Sequence, residues 1–199
     1  LTVDGDTANR KASGNGTMNA IRGQSGADNI RFLGVTKVDN IYGRPLFAQT
    51  ADGWKIEGWY SDNCAGAFNA ADCDDWTIGV FAATDVDTDD NGLQSDAFEM
   101  RRCERWTVER VSINGMVVDD ISGSVGGQGV VVEQIADCVF GSVFVRDIQN
   151  DATNPVQTRQ GMSIVSADRC SWGIINIEGC DEGVEQSGCR NCTFGEVTL

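Results

Sequence analysis

The 199-residue sequence contains no histidine, two prolines and no long uninterrupted run of apolar residues. Without histidine, the chain can have neither a serine–histidine–aspartate triad nor a zinc site with histidine ligands. Any catalysis must therefore use carboxylates, tyrosine, lysine, arginine, cysteine or a bound cation. The apolar runs are shorter than the roughly 18–20 residues that a helix needs to cross a bilayer, so no membrane span is expected.

Positive charge is scarce as well: 15 lysines and arginines stand against 30 acidic residues, and the formal net charge is −15. Because phosphate contacts need a positive surface, we expect no nucleic-acid partner. Hydrophobic residues make up 41% of the chain, which is enough to fold residues 1–199 as one domain around a core. Strand-like sequence stands at both ends, so we expect the chain to be a fragment of a longer protein.

One motif recurs along the chain and indicates a repetitive fold. A small or acidic residue, often cysteine, precedes an aromatic residue, and alternating apolar residues follow. The closest copies are about 22 residues apart and others are longer, as expected for a solenoid with insertions of variable length. A second apolar position, eight residues before the aromatic one, predicts another strand in each repeat. The anchor residues are Ile30, Trp54, Trp76, Trp106, Phe140, Trp172 and Phe194, and the earlier apolar residues are Leu46, Phe68, Phe98, Val132 and Ile164.

Stacked repeats would bring equivalent side chains into columns about 4.8 Å apart. We therefore expect the aromatic anchors to form one ladder through the core. Five cysteines lie two or three residues before an anchor and are expected to stack beside that ladder. Buried thiols can serve as small hydrophobic residues, although neighbours in a column could also reach disulfide distance. These cysteines are Cys73, Cys103, Cys138, Cys170 and Cys192.

Three phrases read Asp4-Gly-Asp6, Gly26-Ala-Asp-Asn-Ile30-Arg-Phe-Leu-Gly-Val35 and Val108-Glu-Arg-Val-Ser-Ile113-Asn. In these phrases the chain resembles the pectin-lyase-like superfamily. The resemblance covers almost the whole chain and implies an all-β, right-handed, single-stranded parallel β-helix of about seven rungs. Because that superfamily includes polysaccharide lyases, hydrolases and bacteriophage tailspikes, it implies carbohydrate binding or degradation and an extracellular, cell-surface or virion location. The histidine-containing motifs of its polygalacturonase-like and alginate-epimerase-like members are absent from the sequence.

Acidic residues in the middle of the chain are the candidate catalytic groups. Glu99 and Glu133 each follow an aligned apolar residue, so we expect them to point outward side by side, with Asp96 just before Glu99. Two close carboxylates cannot both ionise freely, and such pairs serve as the acid and the nucleophile or base of glycosidases. Arg101 and Arg102 could bind an acidic sugar or offset the charge of the glutamates. The alternative is a solvated outer face of alternating charge.

A second acidic segment suggests a cation site. Its oxygen-bearing side chains recur at the spacing of a calcium-binding loop, although glycine is missing at the usual sixth position and no flanking helix is evident. We therefore predict a Ca²⁺-binding turn rather than an EF-hand, with a solvated acidic turn as the alternative. The ligands would be Asp85, Asp87, Asp89, Asn91 and Asp96.

Two further pairs of neighbouring residues are candidates for binding substrate. Trp59 and Tyr60 lie outside the expected ladder, and strand alternation would turn one of them outward to stack on a sugar ring. Asp119 and Asp120 begin a glycine-rich insertion, and long loops on a rigid scaffold are where sites are built. The alternatives are packing beneath a neighbouring loop for the aromatic pair and a polar turn for the acidic pair.

The sequence supports three functional hypotheses. The first is a protein that binds or degrades surface polysaccharide, such as a tailspike or depolymerase, acting as a glycoside hydrolase or as a lyase. The second is a non-catalytic stalk or adhesin domain. The third is an intermolecular scaffold that forms a homotrimer through flat faces.

Overall fold

The computed structural model describes residues 1–4, 18–41, 43–64, 66, 68–87, 96–118, 127–150 and 159–199, and every regular element among them is a strand. The prediction of an all-β fold is therefore confirmed. Within the described residues there is also no helix long and apolar enough to cross a membrane. The strands are β1 (Thr2–Asp4), β2 (Met18–Gly23), β3 (Arg31–Asp39), β4 (Gly43–Gln49), β5 (Lys55–Asp62), β6 (Phe68–Ala71), β7 (Thr77–Asp87), β8 (Phe98–Arg101), β9 (Thr107–Val118), β10 (Val130–Glu133), β11 (Val139–Asn150), β12 (Gln160–Val165), β13 (Ser171–Glu178), β14 (Glu182–Ser187) and β15 (Thr193–Thr198).

The strands alternate between two sheets. The odd-numbered strands form an eight-stranded sheet and the even-numbered strands a seven-stranded sheet, each in sequence order. All neighbouring strands pair in parallel, as β7 does with β9 and β8 does with β10. The chain therefore crosses from one sheet to the other after every strand. We call an even strand together with the odd strand that follows it one repeat.

Alternating side chains make this arrangement stable. In β9, Val108, Val111 and Ile113 are buried, whereas Glu109 and Arg110 between them are exposed. Inward residues of both sheets join in one hydrophobic cluster that runs through the described repeats. Burying a side chain of this size contributes roughly 1.5–3 kcal/mol. The alternation, interrupted by the consecutive outward residues Glu109 and Arg110, therefore fixes which side of β9 faces the core.

A five-residue corner joins each even strand from β4 onward to the next odd strand. Its first and fourth residues have a left-handed backbone, as at Arg102 and Arg105, with φ of 51° and 59°. This conformation costs roughly 1–2 kcal/mol for a residue that is not glycine. It also aims the two amides at the next repeat, where Arg102 N–H donates to Glu133 O at 2.9 Å and Arg105 N–H donates to Ala136 O at 3.0 Å. The opposite connections, from odd to even strands, range from three to thirteen residues.

The predicted aromatic anchors fall into two columns, so the prediction that they form one ladder was wrong. Trp54, Trp76 and Trp106 stack with centroids 4.7 and 4.6 Å apart, and their column continues through cysteines. Phe140 and Trp172 stack in the neighbouring column, 5.7 Å apart, where the earlier repeats carry aliphatic residues. Because the two columns lie two residues apart on the same strand face, each of these repeats places one large ring at one of the two positions, and this part of the core keeps a similar volume. The continuing cysteines are Cys138, Cys170 and Cys192, and the earlier aliphatic residues are Ile56, Ile78 and Val108.

The tryptophans of the first column are also fixed by hydrogen bonds. Trp76 Nε1 donates to Ala51 O at 2.6 Å and Trp106 Nε1 donates to Cys73 O at 2.7 Å. The eight cysteines are free, and Cys73, Cys103, Cys138 and Cys170 are among the buried ones. These four thiols therefore line the corner as small interior residues.

Candidate functional site

The predicted acidic residues lie on the seven-stranded sheet, but in a different register from the one expected. Phe98 pairs with Val130, so Glu99 lies opposite Val131 and Glu133 lies opposite Arg101. The expectation that the two glutamates stand side by side was therefore wrong. It aligned Phe98 with Val132, two residues too far along the chain, because the aromatic anchor of that repeat had moved by two positions.

Arg101 nevertheless brings the two glutamates together. Its Nε atom lies 2.5 Å from Glu99 Oε1 and 3.3 Å from Glu133 Oε2. Because both oxygens contact one nitrogen, they lie within about 6 Å of each other, close to the spacing of catalytic carboxylates in glycosidases. The side chain of Glu99 is 8% exposed, whereas those of Glu133 and Arg101 are 36% and 37% exposed. The group therefore has a covered acid and an accessible one.

Asp96, just before β8, is the most enclosed acid of the group. It is 5% exposed, and its Oδ1 accepts a hydrogen bond from the backbone N–H of Gln128 at 2.9 Å. The side chain of Gln128 donates to Gln160, whose Nε2 donates to Glu185 Oε2 at 2.8 Å. A chain of polar contacts thus runs across neighbouring even strands from Asp96 to β14.

Burial shifts the acidity of this group. Desolvation raises the pKa of Asp96 to about 7, and the charge of Glu99 adds to the rise, while the Gln128 amide and the cations Arg101 and Arg44 oppose it. Desolvation also raises the pKa of Glu99, against the lowering effect of the same two arginines. Carboxyl groups that stay protonated near neutral pH can act as general acids.

Sequence reasoning missed several polar partners in this group. Asn69 Nδ2 donates to Glu99 Oε2 from the preceding even strand, β6. Gln128 and Gln160 extend the row beyond Asp96 in the other direction. The signal for all of them is the pairing register, which aligns Asn69 with Glu99. Short polar residues in otherwise apolar strands carry no distinctive spacing without that register.

Arg102 lies apart from this polar row, in the corner after β8. Its Nε and Nη2 atoms bind Asp72 Oδ1 and Oδ2 at 2.6 and 2.8 Å, a bidentate ion pair between neighbouring repeats. Hydrogen bonding to Arg102 lowers the pKa of Asp72. The guanidinium that was expected to bind substrate thus holds two corners together.

The aromatic pair divides between core and surface. Trp59 is fully buried at 0% exposure, so its ring cannot stack on a sugar, and the prediction that Trp59 binds substrate was wrong. Tyr60 points outward and is 40% exposed. Strand alternation in β5 accounts for both positions. Tyr60 stays a predicted sugar contact.

The predicted Ca²⁺ turn is only partly described. Asp85 and Asp87 belong to β7, and Asp96 belongs to the acidic group on the other sheet. Asp89 and Asn91 lie outside the described residues, as do Asp119 and Asp120 of the later insertion. Within the described ranges, no cluster of three or more acidic or cysteine side chains could hold a metal ion. Calcium binding and the role of the later aspartates stay predictions.

No protein-family model, curated protein or solved structure matches this chain. Its function must therefore be inferred from the chemistry of Asp96, Glu99, Glu133 and Arg101.

Proposed function

We propose that this chain is a section of a right-handed parallel β-helix that binds and cleaves polysaccharide outside a cell or on a virion. The alternation of the chain between two parallel sheets supports helical winding. A right-handed winding is expected, because crossover connections between parallel strands of one sheet are right-handed in about 98% of cases. The likeness of the repeats to pectin-lyase-like sequences supports carbohydrate as the ligand class.

The observation that carries the proposal is the contact of Glu99 and Glu133 with the same arginine nitrogen. Glu99 is suited to be the general acid, since burial raises its pKa. Glu133, with the more exposed side chain, is suited to be the nucleophile or base. Glu99 Oε1 and Glu133 Oε2 lie within about 6 Å of each other, because both contact Arg101 Nε. This distance fits the roughly 5–5.5 Å between the carboxyl groups of retaining glycosidases better than the roughly 6.5–9.5 Å of inverting ones.

Arg101 would give the site its preference among sugars. A guanidinium that already contacts two carboxylates could instead pair with the carboxylate of a uronic acid. With such a substrate, neutralising the uronate would favour elimination, the reaction of a lyase. Asp96, protonated near neutral pH, would keep the negative charge beside Glu99 low.

The test is turnover of a panel of acidic and neutral bacterial polysaccharides, followed by reducing ends and by absorbance of unsaturated uronates, with and without Ca²⁺. We expect reducing ends from the parent chain and a loss of at least about a hundredfold in Glu99→Gln and in Glu133→Gln. Glu109→Gln is the matched control, because Glu109 is exposed on the other sheet. Unsaturated products would instead assign a lyase.

The second candidate is a non-catalytic stalk or adhesin domain. One observation favours it: Asp96 and Glu99 are almost inaccessible and already have partners within the chain. A polar network that is buried and internally paired can serve structure alone. Turnover that is absent across the panel, in a chain with intact circular dichroism, would reject catalysis and leave this candidate.

A further inference from the structure

The outward face of the eight-stranded sheet differs from the rest of the surface in its charge. We call one part of it the flat face. This part comprises the outward residues of β5, β7, β9, β11 and β13 that lie between the corner and the row of paired residues that contains Tyr60 and Phe144. On β7, β11 and β13, its described residues include no charged side chain. On β5 and β9 it presents one cation and one acid each, so the flat face is neutral in a chain of net charge −15. The four charged residues are Lys55, Glu57, Glu109 and Arg110.

Apolar groups of the flat face remain open to solvent. Val139 is 48% exposed, Ile174 43% and Tyr60 40%. The cation of Arg110 lies over the ring of Phe144, 4.8 Å from its centroid, which covers one charge with an aromatic face. The adjoining corner is the opposite in character, since arginine–aspartate pairs succeed one another there.

We propose that the flat face binds a second copy of this chain. Two copies that each carry a charge of −15 repel one another, and the repulsion is least where acidic side chains are balanced. The cores of protein interfaces are depleted of charge, as this face is, and Tyr60, Phe144 and Arg110 give it residues of the aromatic and arginine types that interfaces favour. A two-fold axis would bring the same neutral patch together from both copies.

The size of the flat face sets the expected strength. Five strands about 4.8 Å apart, each contributing about six residues at about 3.3 Å, give roughly 500 Å² before the relief of the side chains is counted. A standard interface buries about 800 Å² per partner. We therefore expect a weak association, with a dissociation constant in the micromolar range.

Sedimentation equilibrium of the full chain from about 1 to about 200 μM tests this surface. We expect reversible association that strengthens as salt rises from about 0.05 to about 0.5 M, because salt screens the repulsion. Ser142→Glu, at the centre of the flat face, should raise the dissociation constant about tenfold or more, since it sets like charges against each other. Asn114→Glu adds the same charge at the exposed rim of β9 and is the control.

Ser112→Glu, beside Phe144 in the pairing register, provides a second variant, and circular dichroism must show that each variant keeps its fold. A dimer that both face variants dissociate and the rim variant preserves would support the proposal, whereas a closed trimer would overturn it, because a two-fold contact between identical patches closes at two copies. A monomer at every concentration would overturn it. Association that is weakened equally by Ser142→Glu and Asn114→Glu would also overturn it. The same holds if the chain is a monomer and Ser142→Glu weakens its binding to polysaccharide.

Discussion

Replacing Asp96 with asparagine should make the protein more stable at neutral pH. The carboxyl group is 5% exposed and beside Glu99, so ionising it in the folded state is unfavourable. Asparagine keeps the oxygen that accepts the Gln128 amide and has nothing to ionise. The variant therefore removes the charge while it leaves the hydrogen bond in place.

The sign and the size of this change in stability follow from the pKa of Asp96. Asp96 has a pKa of about 7 in the fold against the ordinary value of 3.8, so the unfolded chain loses this proton first as pH rises. Stability from this group is thus fully present below pH 4 and is lost as pH rises to 7. At 1.36 kcal/mol for each pH unit, the loss is about 4 kcal/mol in all and about 2 kcal/mol between pH 5 and pH 7.

The assay is urea unfolding followed by tryptophan fluorescence at several pH values between about 3.5 and about 7.5. We expect the free energy of unfolding of Asp96→Asn to match that of the parent at the acidic end and to exceed it increasingly toward neutral pH. Asp85→Asn is the control, because Asp85 is exposed. Parallel pH profiles for the parent and Asp96→Asn would show that Asp96 is ionised in the fold, and the reasoning would fail.

Two further predictions concern the packing of the repeats. Gly141→Ala should lower the free energy of unfolding by about 1–3 kcal/mol, because a Cβ there would lie 2.5 Å from Glu109 O. Gly58→Ala is the control and should change thermal stability little, because no atom lies nearer than 3.4 Å to the added Cβ. Cys138→Trp alone should destabilise the fold by overpacking the core, and Phe140→Val alone should destabilise it by leaving a cavity. Together they restore the arrangement of the preceding repeat, which has Trp106 and Val108 at these positions. A double-mutant cycle by urea unfolding should give a favourable coupling of about 1 kcal/mol or more, and additive effects would contradict the idea of conserved core volume.

The all-β fold could be predicted from the sequence because alternation of apolar residues and the recurring aromatic motif are local signals. The pairing register could not be predicted in full, since the large ring moves from the position of Trp106 to that of Phe140 within one repeat. Both positions face the core, so alternation alone does not distinguish them. The misaligned glutamates follow directly from this shift.

The partners of the acidic group were beyond sequence reasoning for a different reason. Gln128 and Asn69 reach Asp96 and Glu99 from other strands, over connections of unequal length. Local spacing carries no record of such contacts. The left-handed corner residues were hidden as well, because arginine and glutamine occupy them beside the more usual aspartate and asparagine.

The corner of constant length has a consequence for how such a chain can change its size. Arg105 and Asp137 occupy the same place in successive corners, with the same backbone conformation. Removing the residues from Arg105 to Ala136 would delete one whole repeat. The corner that is then formed would join two halves with the same backbone conformation as in the intact chain. Whole repeats can therefore be duplicated or deleted at this point without disturbing the phase of their neighbours. Insertions on the opposite side change what the surface presents while that phase is kept.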